Sequence, residues 1–133
     1  MAVVDREGMC GILQGTTERW LAPDFRAASP DTVSRIEAMI LGTSVRGYKG
    51  CVEALKRLDY LGALGGMQVP TLYVVGSEDQ GAPPDVMRRM AEATPGARLV
   101  VVPGGAHLPN LDRSAEFNAM VAEFLRLQHG PAA

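Results

Sequence analysis

Apolar positions in the first half of the chain recur with the period of a helix. Met9, Ile12, Leu13, Thr16 and Trp20 make one stripe that ends before Pro23. A second helix starts clearly: Ser29 can cap, Pro30 suits the first helical position, and Asp31 favours the positive end of the helix dipole. Val33, Ile36 and Ile40 form its buried stripe. A third helix, from about Tyr48, is expected to bury Val52, Leu55 and Leu58, with Gly42 and Gly47 punctuating the interval before it.

After Gly65-Gly66 the period changes. Pro70-Thr-Leu-Tyr-Val-Val-Gly76 is a continuous apolar, β-branched run stopped by glycine, the pattern of a parallel strand covered on both faces. Pro83-Pro84-Asp85 opens a helix striped by Val86, Met90 and Ala93, and Pro95-Gly96 marks a turn. Arg98-Leu-Val-Val-Val102 is a second strand, ended by Pro103-Gly104-Gly105. A last helix carries Phe117, Met120, Val121, Phe124 and Leu125, and Gly130-Pro131-Ala-Ala is a tail. Residues 1–66 therefore form a helical segment and residues 67–133 a β-α-β-α unit whose two strands should run parallel with a right-handed crossover. Two parallel strands are too few to cover their own edges, so the sheet is incomplete within this chain. Self-association or a complementary segment is expected to finish it.

Composition narrows the partners. The chain has 133 residues, 47% apolar and 21% charged, with a formal net charge of -2, which excludes the electrostatic footprint of a nucleic-acid or anionic-membrane binder. Cys10 and Cys51 stand far apart and outside any zinc or redox motif, as free thiols of a reducing cytosol would. Charges of both signs at the N-terminus do not suit a signal peptide, and no apolar stretch reaches membrane-spanning length. A cytoplasmic protein acting on a small molecule or another protein is the expectation.

In open α/β sheets, ligands bind beyond the C-terminal ends of the strands. The loop after the first strand is Gly76-Ser-Glu-Asp79, and the loop after the second is Gly104-Gly-Ala-His107. Adjacent parallel strands bring these loops together, so that a carboxylate can orient and charge an imidazole. Asp79 is the candidate acid, against the plain alternative of a turn or helix-capping aspartate, and Glu78 is its rival. His107 is the candidate base, against a loop histidine satisfied by backbone. His129, beside the tail, reads as a surface residue. A serine nucleophile on a sharp strand-to-helix turn needs G-x-S-x-G, and no such pentapeptide occurs. Ser44, in Gly42-Thr-Ser44-Val-Arg46-Gly47, follows a helical stripe, and Ser77 lies in the acid loop itself.

These residues carry a family resemblance. Val69-Pro-Thr-Leu-Tyr-Val-Val-Gly-Ser-Glu-Asp79, then Pro-Gly-Ala-Arg98 and Gly-Gly-Ala-His107-Leu-Pro-Asn-Leu-Asp112, are similar to the last two strand-loop units of α/β-hydrolases. Gly8-Met9, Glu18-Arg19-Trp20-Leu21, Ala22-Pro-Asp-Phe25 and Gly47-Tyr48-Lys-Gly-Cys51-Val-Glu-Ala54-Leu resemble the cap of 3-oxoadipate enol-lactonases of bacterial aromatic degradation. The resemblance implies the C-terminal half of an α/β-hydrolase fold preceded by a helical cap segment, from an enzyme that hydrolyses a lactone or ester without metal or organic cofactor. In that chemistry Asp79 would hold the tautomer of His107, and His107 would take the serine proton and later activate water. Family order runs Ser, acid, His, so the front half that supplies serine is what this chain lacks. The isolated chain is expected to be inactive, and a non-catalytic interaction module or the His/Asp half of a split hydrolase are the alternatives. Trp20 is a candidate wall of the substrate pocket or a simple packing residue, and Arg19 and Arg26 are candidates to meet a substrate carboxylate.

Overall fold

The computed structural model describes residues 1–129, apart from the side chain of residue 129. The proposed surface role of His129 and the tail 130–133 lie outside what is described. The chain divides into two compact units, Met1–Asp59 and Tyr60–Ala133.

The first unit is helical: α1 (Ala2–Glu7), α2 (Cys10–Trp20), α3 (Pro23–Ala28), α4 (Pro30–Gly42) and α5 (Val45–Leu55). Helices α1 and α4 both pack on α2, and α3 packs on α4. Val4, Met9, Leu21, Ala22, Ile36 and Ile40 are its buried apolar residues. The stripes expected for α2 and α4 therefore meet each other, and Pro30 stands in the first turn of α4 with Ser29 before it. Ser29 makes no side-chain capping bond. Ser44 does: its hydroxyl accepts from the Gly47 amide at 3.1 Å, so α5 begins at Val45 and Gly47 lies inside it instead of breaking the chain. The expected burial of Leu55 and Leu58 is not observed. Both are exposed, at 62% and 50%, because Leu55 ends α5 and the chain beyond it leaves the helix. Helices α1 and α3 were too short to show a period.

The second unit holds the sheet. After a 3-10 turn (Leu61–Gly66) come β1 (Leu72–Gly76), α6 (Pro84–Ala93), β2 (Arg98–Val102), α7 (Pro109–Asp112) and α8 (Ser114–His129). The 3-10 turn packs on α6, so Leu61–Gly66, which the sequence pattern grouped with the helical segment, belongs to this unit. Strands β1 and β2 pair in parallel, with Leu72 opposite Arg98 and Gly76 opposite Val102. Helices α6 and α8 pack against both strands. Tyr73 on β1 is tied to α6 by a hydroxyl pair at 2.8 Å: the Thr94 hydroxyl donates to the Met90 carbonyl, so the Tyr73 hydroxyl donates to Thr94.

Burial rises towards the C-terminal ends of the strands. Val75, Gly76 and Val102 are buried, whereas Leu72, Val74, Val100 and Val101 are only half-covered. Among the described residues β1 has only β2 as a sheet partner. An open groove of about 510 Å³ is lined by Leu72, Tyr73 and Val74 together with Met87 of α6 and Phe117 and Val121 of α8. The sheet is thus closed at the C-terminal ends of its strands and, among the described residues, uncovered along an apolar flank.

Candidate active site

The loops that leave β1 and β2 are laced together by backbone. Ser77 N–H donates to the Val102 carbonyl and Glu78 N–H to the Gly105 carbonyl, both at 2.9 Å. The Ser77 hydroxyl accepts from Gly104 N–H at 2.8 Å and donates to the Glu78 carboxylate at 3.0 Å. Two glycines permit this approach. A Cβ on Gly76 would collide with the carbonyls of Gly105 and Ala106, and Gly104 has φ +67°, a conformation that costs a side-chain-bearing residue.

Within this lacing the Asp79 carboxylate meets the His107 ring. Nδ1 lies 3.0 Å from Oδ1 and 2.9 Å from Oδ2. An ionised carboxylate only accepts, so the proton of this contact sits on Nδ1 and the lone pair of the neutral ring is on Nε2. The Asp79 side chain is 6% exposed and that of His107 38%. Asp79 Oδ1 also accepts from Gly81 N–H at 2.7 Å and Ala82 N–H at 3.1 Å. Burial pushes the Asp79 carboxyl upward, but the Ala82 amide, the His107 hydrogen bond, the Gly81 amide and the imidazolium charge together hold it below the usual aspartate value. Asp79 is consequently a carboxylate at neutral pH. Its turn-closing bonds to the Gly81 and Ala82 amides coexist with its bond to His107, and it does not cap α6, whose first turn has no side-chain cap.

Glu78, the rival acid, is exposed and occupied by Ser77, and Ser77 is engaged at both ends of its hydroxyl. Ser44 caps α5. Ser44 stands between two helices, and Ser77, although it follows β1, is separated from α6 by residues 78–83 and lacks the G-x-S-x-G frame of a sharp strand-to-helix turn. Trp20 ends α2 in the first unit, half-buried. In the same unit Arg19 reaches the Thr16 hydroxyl at 3.4 Å, and Arg26 lines a pocket of about 200 Å³ with Glu18 and Glu37, whose carboxylates make it a poor seat for an anion. Cys10 and Cys51 are free and exposed. Among the described residues no group of three or more His, Cys, Asp or Glu side chains is placed to hold a metal ion, and no helix is long and apolar enough to cross a membrane.

Residues 11–114 match the model of the alpha/beta hydrolase fold family. The chain belongs to that family. This α/β-hydrolase chain is similar in structure to the enol-lactonase from Burkholderia xenovorans LB400, with a TM-score of 0.87 and 31% identity, covering 93% of this chain and 48% of that one. It is 28% identical to the pimeloyl-[acyl-carrier protein] methyl ester esterase of Stenotrophomonas maltophilia (strain K279a), over 84% of this chain and 45% of that protein. A protein of Pseudomonas savastanoi pv. phaseolicola named as a carbamate hydrolase is 32% identical over 77 residues, 58% of this chain and 30% of its own length. The α/β-hydrolase chain thus spans half or less of the relatives it matches.

Sequence reasoning singled out Asp79 and His107 but not the groups that hold them: Gly76, the Ser77 hydroxyl, the Gly81 and Ala82 amides, and Asp112. Their signal is weak because each acts through backbone. Only the glycine that stops β1 and the short polar residues after it hinted at a crowded turn.

Proposed function

We propose that this chain supplies the acid and the base of a carboxylic-ester or lactone hydrolase whose serine comes from sequence outside these 133 residues. The observation that carries the reading is the Asp79–His107 contact at the C-terminal ends of two adjacent parallel strands, where α/β folds bind ligands. In this chemistry Nε2 of His107 takes the proton of a serine hydroxyl as it attacks the carbonyl, returns it to the leaving alcohol, and then activates water for deacylation. Asp79 fixes the tautomer and stabilises the imidazolium formed in between. An enol-lactone is the preferred substrate. The cap-like motifs around Trp20 and Tyr48 support it, as does the likeness to an enol-lactonase, and Trp20 is then a wall of the substrate pocket.

The experiment is reconstitution. The chain alone should hydrolyse p-nitrophenyl acetate and enol-lactones no faster than buffer. Co-expressed with the unmatched front half of the Burkholderia enol-lactonase, it should turn over, and His107→Ala should abolish that activity. Stoichiometric fluorophosphonate labelling of Ser44 or Ser77 in the chain alone, with turnover lost when that serine is replaced, overturns the reading.

A second reading, a non-catalytic interaction module, is favoured by the apolar groove beside β1. It predicts association of the chain with itself, measurable by sedimentation at micromolar concentration, and no activity under any complementation.

A further inference from the structure

The loop that carries His107 is bent back on itself by α7. Pro109 opens this one-turn helix, and the Leu111 and Asp112 amides donate to the Leu108 carbonyl at 2.9 and 3.1 Å. That turn carries the Asp112 side chain back over the residues it has just left. Asp112 is 6% exposed, and its Oδ2 accepts from the Ala106 N–H at 2.9 Å in a fully buried bond. Ala106 is itself buried at 4% and is the residue immediately before His107.

The position of this amide matters more than its existence. The peptide unit between Ala106 and its predecessor is wedged against Gly76, where there is no room for a Cβ, and the ring of the next residue must meet Asp79 across the gap between two loops. A buried N–H needs an acceptor, and no strand or helix ladder runs through this loop to supply one. With the acceptor removed, the amide loses its partner while Glu78 N–H holds only the carbonyl end of the same peptide unit, and a tilt of that unit is passed through Ala106 to the Cα–Cβ direction of His107. Displacements of about an ångström in a catalytic group are enough to cost two orders of magnitude in rate.

We infer that Asp112 is a positioning residue: its carboxylate, acting as an acceptor for the Ala106 amide, sets the direction from which the His107 ring reaches Asp79. The inference rests on reading Asp79 and His107 as acid and base, and it adds a second buried carboxylate with a distinct task. Asp79 holds the ring, and Asp112 holds the backbone that delivers the ring. The role requires an oxygen at this place and not a charge, which separates it from an electrostatic contribution to the imidazolium.

The test uses the whole chain and proton NMR of the His107 Nδ1–H, which resonates far downfield while it is bonded to a carboxylate. The His129→Gln background leaves a single histidine. Asp112→Ala should lose that resonance while the amide spectrum of the first unit is retained, and Asp112→Asn, which keeps an accepting oxygen, should restore it. In the unsubstituted chain the Ala106 amide should exchange with solvent at least tenfold more slowly than an open loop amide, a measurement that needs no variant to fold. Persistence of the resonance in Asp112→Ala, failure of Asp112→Asn in a folded protein, or open-loop exchange at Ala106 each overturns the role of Asp112. Absence of the resonance from the unsubstituted chain overturns the acid-base reading and this inference with it, so the two failures are told apart.

Discussion

The two sides of the small sheet are built by opposite means. At the C-terminal ends of the strands, backbone and side-chain hydrogen bonds connect the Asp79 loop to the His107 loop, and every element of that connection lies within residues 76–112. Along the flank of β1 there is apolar surface and, among the described residues, an unpaired edge, and the groove there is open. Hydrogen bonds are directional and close over short stretches of chain. Apolar burial is additive and needs area, and the described residues leave the groove beside β1 open. The Asp79–His107 contact is therefore assembled by local sequence, whereas the sheet beneath it keeps an apolar flank uncovered among the described residues.

The largest effect should come from the pair itself. In a reconstituted hydrolase, Asp79→Asn should lower kcat by about 10⁴-fold, the scale of losing the correct imidazole tautomer, measured under conditions where the second unit remains folded. A loss below tenfold would mean that the loops, and not the carboxylate, direct the ring. Next is Gly76→Ala, whose methyl would meet two carbonyls. Urea unfolding of the second unit should show a loss of about 3 kcal/mol, since backbone cannot yield as a side chain does. A neutral result would show that the lacing is looser than its geometry.

Much of this was legible in the residues before any coordinates. The strands stood out because a run such as Tyr73-Val-Val75 has no polar face and stops at glycine, and the Asp79–His107 pairing followed from placing two strand ends side by side. Helices α1, α3 and α7 did not stand out, because a single turn or two offers no repeat to read. The stripe through Leu55 and Leu58 misled, since an apolar period states what a helix can bury and not whether a neighbour is there to bury it. Asp112 shows no role in the sequence, because a side chain whose partner is a backbone amide leaves no complementary residue to read.

A smaller effect tests the lacing through acidity. Because the folded-state pKa of Asp79 is lowered, its contribution to stability is complete above the unfolded aspartate value of about 3.9 and is lost as pH falls through the lower folded value. The second unit should therefore lose stability on acidification below about pH 4, and Asp79→Asn should remove that part of the slope in a pH series of urea titrations. Smallest of all, Ser44→Ala should cost the first unit about 1 kcal/mol through loss of the α5 cap and leave the His107 resonances unmoved. A shift in those resonances would couple a helix cap to the strand-end loops and erase the contrast between local and borrowed order.

The sole tryptophan of the chain, Trp20, lies in the first unit, while the sheet and its loops lie in the second. Nature has in effect installed a single fluorophore within the first unit. Emission intensity during denaturation follows the helices of residues 1–59, and the His107 resonances follow the strand-end loops. Superimposable curves would describe one cooperative block, and separated curves two independent ones, so a single titration with two detectors would reveal whether the piece that holds the acid and the base can be handled without the other.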